Sequence, residues 1–185
     1  YENLRYDALL DIYESGLTVS RLDPLFEGLR DKVAPLIKSV AERGERPDVS
    51  WVTENSWEQE GQERLSQKVS ESIGFDFDAG RRDASTHPFC GGPNPDDVRW
   101  MTRYSEHDPF GSLYGSMHET GHGTYEQGRP RELDFQPAGK ANGLGVHESQ
   151  SRLWENQIGR SLEFCHWSLP LWKEAFPEKM QDIDA

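Results

Sequence analysis

At 185 residues, 34% hydrophobic and 29% charged, the chain is long enough for one domain of ordinary size, yet polar for a globular protein. Six Trp, six Tyr and eight Phe argue against disorder. A net charge of −13 without any basic stretch excludes nucleic acid and anionic membrane surfaces as partners. The polar balance fits a thin helical body whose buried faces are shared with further segments. Cys90 and Cys165 stand alone, without CxxC spacing. They predict two reduced thiols in a cytoplasmic protein, not a disulfide framework or a cysteine-ligated metal. No apolar run is long enough to span a membrane, and the start carries no secretory signal.

Residues 1–75 read as a helical scaffold. Thr18 is the expected cap of a helix carrying Leu22, Leu25, Phe26, Leu29, Val33, Leu36, Ile37 and Val40 in one apolar stripe, ended by Gly44 and Pro47. Residues 54–73 predict a second helix with a thin stripe of Trp57, Leu65, Val69 and Ile73, expected to touch one neighbour and not a full core. Residues 76–105 form a loop and strand element. The Gly-, Pro- and Asp-rich stretch 74–97 predicts a long loop. In "VRWMTRY", Val98, Trp100, Thr102 and Tyr104 alternate with Arg99, Met101 and Arg103, which predicts a strand pairing with residues 87–90 across the GGPNP turn.

Residues 106–185 hold the expected metal-binding helices. One runs from Pro109 to about Gln127, stopped by Gly128 and Pro130; another runs from about Val146 to Phe164, with Pro170 as a breaker. The first contains "HETGH". On a helix, His118 and His122 share one face about 5–6 Å apart at Cβ, so both imidazoles can meet one ion. Zinc takes nitrogen at roughly 2.0–2.1 Å and wants four ligands. Glu119, about 100° round the helix from His118, stands beside such an ion and can take a proton from a water bound to it. This is the HExxH arrangement of zinc peptidases. Gly121 and Gly123 each weaken the helix by about 1 kcal/mol relative to Ala, so small residues beside the metal face imply a packing or functional need.

A third ligand is required. Tyr125 and Gly128 stand where the metzincin spacing needs Gly and His, which excludes that version. Glu126 lies on the histidine stripe, but three ligands in a row along one helix span about 12 Å and cannot close a tetrahedron. It is expected to accept from a histidine N–H instead. His147 and Glu148, adjacent on the following helix, remain equal candidates on these grounds. His107 and His166 read as ordinary surface or core histidines.

Four ordered motifs carry a resemblance. His87-Pro88-Phe89, then Asp97-Val98-Arg99-Trp100-Met101, then His118 to His122 with Tyr125-Glu126-Gln127-Gly128, and finally His147-Glu148-Ser149-Gln150 match the order and spacing of the M32 metallocarboxypeptidases, the carboxypeptidase Taq family. "RYDALLDIYESGLT" near the start resembles the segment leading into that family's helical scaffold, so the likeness covers essentially the whole chain. Met101 departs from the pattern, which has Thr there. The resemblance implies a mainly α fold, an HExxH zinc-peptidase helical core with a small β-hairpin or sheet element, in a single partial catalytic domain over residues 1–185. It implies one Zn2+ per chain, Co2+ being another compatible metal, held by His118, His122 and Glu148, with Glu119 as general base. It implies that His87, Arg99 and His147 contact substrate, a peptide with a free C-terminus. A guanidinium suits a C-terminal carboxylate, while Arg99 paired with Asp97 to hold the loop is the equal alternative. Family members are longer and pair as homodimers, so the chain is expected to be the central part of such an enzyme. Two other functions stay open: a metal-binding fragment without turnover, and another HExxH peptidase.

Overall fold

The computed structural model describes residues 5–44 and 47–183, which form two compact units. The first contains α1 (Arg5–Tyr13), α2 (Val19–Glu42) and residues 142–145. The Asp7 carboxylate accepts from the Val19 N–H at 2.8 Å and ties the end of the α1–α2 turn, where Gly16 adopts a φ of +76°. Thr18 stands at the cap position of α2, but its hydroxyl pairs with Ser20 and caps nothing. The predicted helix is there; the burial of its stripe is not. Leu25, Phe26, Leu29, Leu36, Ile37 and Val40 are all exposed, and no residue of α2 is buried.

The second unit holds α3 (Ser50–Thr53), α4 (Gln59–Ile73), β1 (Gly80–Ala84), β2 (Phe89–Gly91), β3 (Val98–Thr102) and α5 (Pro109–Gln127), then α6 (Leu144–Arg152) from Val146 onward, α7 (Leu162–Ala175) and α8 (Pro177–Met180). Trp57, fully buried, seeds its larger core. The ring lies edge-on to Trp172 and Phe176, with centroids 6.0 and 5.1 Å away, and its Nε1–H donates to the Val52 carbonyl at 2.9 Å. Leu65 and Val69 from α4, Leu113 and Met117 from α5, and Phe164 from α7 complete it. The thin apolar stripe of α4 therefore understates its burial. Ser66, Ser70 and Gln62 are buried too: the two serine hydroxyls donate to backbone carbonyls of their own helix, and Gln62 Nε2 donates to the Trp57 and Ser105 carbonyls, while Gln62 Oε1 is left without a partner. Ser70 Oγ donates back to the Ser66 carbonyl and pairs with Thr120 Oγ1 of α5, both within 2.8 Å. Small hydroxyl residues let α4 and α5 pack closely, so α4 sits against α5 and α7 and not one neighbour. It ends at Gly74, whose φ of +106° suits glycine, with the Phe75 N–H bonded to the Ser70 carbonyl.

The predicted loop 74–97 contains two strands. β2 pairs antiparallel with β3, with Cys90 opposite Trp100, as the alternation predicted. β1 pairs parallel with β3, giving the order β1-β3-β2. β1 escapes the sequence because "GRRDA" has no apolar alternation; its pairing with β3 makes it a strand. Val98, Trp100 and Thr102 point inward, with Phe75 beside them, and Thr102 Oγ1 accepts from Ser116 Oγ of α5 at 3.0 Å.

α5 matches its predicted limits. Pro109 opens it, Asp108 Oδ1 accepts from the Gly111 N–H at 2.9 Å, and it ends at Gln127. The last predicted helix is corrected. α6 runs into a π-helical segment, Leu153–Ile158; the chain turns at Gly159 to Ser161, and α7 continues through Pro170. Ser161, accepting from the Phe164 N–H at 3.1 Å, starts the new helix, so a cap and not Pro170 sets the break. No helix among the described residues is long and apolar enough to cross a membrane.

Candidate metal centre

α5 and α6 build the site together. They meet at Gly121, where an added Cβ would lie 2.7 Å from the Ser151 Cα and 2.9 Å from the Gln150 carbonyl oxygen. Glycine thus lets the α6 backbone come close enough for Glu148 to reach both His118, about one turn before Gly121, and His122, which follows it directly. Gly123, on the other side of α5, leaves room for the Phe75 ring. The packing reason expected for both glycines is present.

Among the described residues, His118, His122 and Glu148 form a group in which one ligand atom of each lies within 4.8 Å of the others. The separations are 3.2 Å between the two Nε2 atoms, 3.3 Å from His122 Nε2 to Glu148 Oε2, and 3.6 Å from His118 Nε2 to the same oxygen. Donors on a tetrahedral ion at roughly 2.0–2.2 Å stand about 1.6 times that distance apart, near 3.3–3.6 Å. The three atoms thus form a triangular face of the size such an ion requires. Their chemistry fits as well. Burial, helped by His147 and His118, pulls His122 down to about 4, so it is neutral and its nitrogen lone pair is available. Burial works against a charge on Glu148, but His118 and the bonds from Arg152 and Ser151 outweigh it and hold this carboxyl below the usual glutamate range.

Each histidine is held from behind. His118 Nδ1 lies 2.8 Å from Glu155 Oε2, and Glu155 is itself gripped by Arg152 and Arg160. His122 Nδ1 lies 2.5 Å from His147 Nδ1, and His147 Nε2 lies 2.7 Å from Glu126 Oε1. The bond from His147, with Arg129 adding its charge, keeps Glu126 below its ordinary range. Glu126 does accept from a histidine, as expected, though from His147 and not from His118 or His122. The equal standing of His147 and Glu148 has a simple geometry: these neighbours on α6 take opposite edges of the His122 ring. Sequence reasoning missed Glu155. It follows Glu148 by seven residues, two helical turns on the same face, and that spacing was the available signal.

Glu119 is buried beside His118, and its carboxyl is pushed up to about 7. Burial is the main cause; His118 opposes the rise, while Glu148 and Glu155 add to it. The remaining candidates are not brought into this cluster. His87 is exposed on the turn between β1 and β2. Arg99 is exposed on β3, with Nε and Nη2 committed to Asp97 at 2.8 and 2.7 Å, the loop-holding pair that was its alternative. His107 and His166 are exposed.

Known proteins share the sequence and the fold. The chain is 41% identical to carboxypeptidase 1 of Bacillus subtilis over 186 residues, covering 99% of this chain and 36% of that protein. It is 43% identical to thermostable carboxypeptidase 1 of Thermus thermophilus over 171 residues, covering 92% and 33% respectively. A solved structure of the Pyrococcus furiosus carboxypeptidase superposes with a TM-score of 0.90 at 38% identity, over 100% of this chain and 37% of that one. The chain spans about a third of the length of the relatives it matches. The profile of the carboxypeptidase Taq (M32) metallopeptidases matches residues 1–185, and with a mainly helical fold, a small three-stranded sheet and a His-His-Glu cluster of ligand geometry, the chain belongs to that family.

Proposed function

We propose that this chain carries the metal-binding core of a zinc-dependent carboxypeptidase acting on peptides with a free C-terminus. His118, His122 and Glu148 are the ligands in this reading, and Glu119 is the general base. The triangle of donor atoms, with sides of 3.2, 3.3 and 3.6 Å, is the observation that carries it. Zinc bound there would polarise the scissile carbonyl and acidify the attacking water. The protein supplies the rest. The two histidines present Nε2 because their Nδ1 atoms are engaged behind them, and Glu148 brings one negative charge to offset the dication. Glu119, one residue after His118 and so beside the ligand face, takes the proton from the water and passes it to the departing amine. Arg99 would have to leave Asp97 to grip a terminal carboxylate, an exchange of one charge-assisted bidentate pair for another. The unpaired Cys90 and Cys165 support a reducing, cytoplasmic setting for the protein.

The test is metal content of the purified chain, measured with release of the C-terminal residue from an N-blocked dipeptide. About one zinc per chain with hydrolysis is the expected result. Zinc without hydrolysis supports a metal-binding core that needs further segments for turnover. Cleavage of peptides blocked at the C-terminus points to an endopeptidase instead. Absence of zinc binding refutes the ligand assignment.

A further inference from the structure

His147 has no free ring nitrogen to offer a substrate. Nδ1 faces His122 Nδ1 at 2.5 Å, and Nε2 faces Glu126 Oε1 at 2.7 Å. Its ring is held between Tyr125 and His122, with centroids 4.5 and 4.6 Å away, and its side chain is only 14% exposed. Proton accounting allows one direction through these contacts. Two facing Nδ1 atoms cannot both carry hydrogen. A neutral His122 that keeps its Nε2 lone pair toward Glu148 and His118 has its proton on Nδ1 and donates it to His147. His147 then carries its own proton on Nε2 and donates to Glu126, whose other oxygen lies 3.0 Å from Arg129 Nε.

We propose that His147 is a positioning residue for the metal centre, the middle link of a relay from His122 through His147 to Glu126 and Arg129 that fixes the tautomer and aim of His122. The inference rests on His122 being a ligand. Its consequence is that α6 delivers two things in one docking step: Glu148, which completes the ligand set, and His147, which orients a ligand already in place. The two histidines of the HExxH stretch are thereby clamped differently, His118 by the carboxylate of Glu155 directly and His122 by an imidazole backed by a carboxylate.

Glutamine separates positioning from mere space-filling, because its amide offers an oxygen to accept from His122 and an N–H to donate to Glu126. In the 185-residue chain, His147→Leu should weaken zinc binding by roughly 10- to 100-fold, measured by competition with a chromophoric chelator, while His147→Gln stays within about threefold of the parent. With Co2+ as the probe, the visible bands of a tetrahedral ion should change in the leucine variant and persist in the glutamine variant. Glu126→Leu cuts the same relay without touching His147 and should weaken binding in the same direction; it decides the matter if His147→Leu does not fold by circular dichroism. Equal affinity in parent and leucine variants, or equal loss in leucine and glutamine variants, overturns the proposal. His122→Ala is the control: loss of binding there with no loss in His147→Leu or Glu126→Leu refutes the relay alone, whereas full binding in His122→Ala refutes the ligand assignment with it.

Discussion

Replacing Gly121 with alanine tests whether the close approach of α5 and α6 creates the site. The new Cβ would stand 2.7 Å from the Ser151 Cα, where ordinary Cβ contacts begin at 3.4 Å, and the obstructing atoms are backbone. α6 must withdraw by about 0.7 Å there, since packed backbone cannot rotate aside as a side chain can. Glu148 lies one turn before Ser151 on the same helix. Carrying its carboxylate the same distance opens the 3.3 Å separation from His122 Nε2 to about 4 Å, outside the span of a tetrahedral donor pair. Alanine gains about 1 kcal/mol in helix propensity, and overpacking costs about 1–3 kcal/mol, so the apo protein should lose about 0–2 kcal/mol. Zinc affinity should fall roughly tenfold or more, because the ligand set is strained even where the fold survives. Urea unfolding of the metal-free chain and chelator competition measure the two effects separately. A variant more stable by about 1 kcal/mol with unchanged zinc affinity would show that the glycine is no spacer and that this account of the site is wrong.

Other expectations follow from the same structure. Glu119→Gln should retain zinc and abolish any peptide hydrolysis, a loss read from dipeptide turnover alongside metal content; retained turnover removes Glu119 as the base. Glu155→Ala strands the His118 N–H and leaves Arg152 and Arg160 without their shared carboxylate, so zinc affinity should drop roughly 10- to 100-fold by the same competition assay. Trp57→Ala empties the centre of the larger core and should cost about 3–5 kcal/mol in urea unfolding; a cost below about 1 kcal/mol contradicts its central place. Burial pushes the Cys90 thiol well up and leaves it partly covered, whereas Cys165 is exposed, so iodoacetamide at pH 8 should alkylate Cys165 first and Cys90 much more slowly. Equal labelling of the two thiols in the native protein contradicts this difference.

Some elements are legible because their signals are local. α5 is bounded by a capping Asp108, Pro109 at its first turn and Gly128-Arg129-Pro130 beyond its end, so its limits need no partner. β3 announces itself through alternation, and residues four apart on a helix must share a face whatever surrounds them, so His118 and His122 are a pair from sequence alone. Other elements depend on contacts. "GRRDA" becomes β1 only because β3 supplies its hydrogen bonds. The thin stripe of α4 predicts one neighbour, because the serines that pack it against α5 carry no apolar signal and Thr120 is what meets one of them. Pro170 reads as a breaker, yet α7 continues past it and the capping Ser161 sets the break.

The site divides the same way. Sequence by itself determined the HExxH pair, the glutamate beside it, the helix that carries them and the need for a ligand from elsewhere, because these follow from one helical period and the coordination number of a metal. Tertiary structure decided which edge of His122 each neighbour on α6 would take, that Glu155 would stand behind His118, and that Gly121 would let the two helices approach. Those outcomes depend on the distance and rotation between two helices joined by an irregular connection, and no periodicity within either helix encodes that relation.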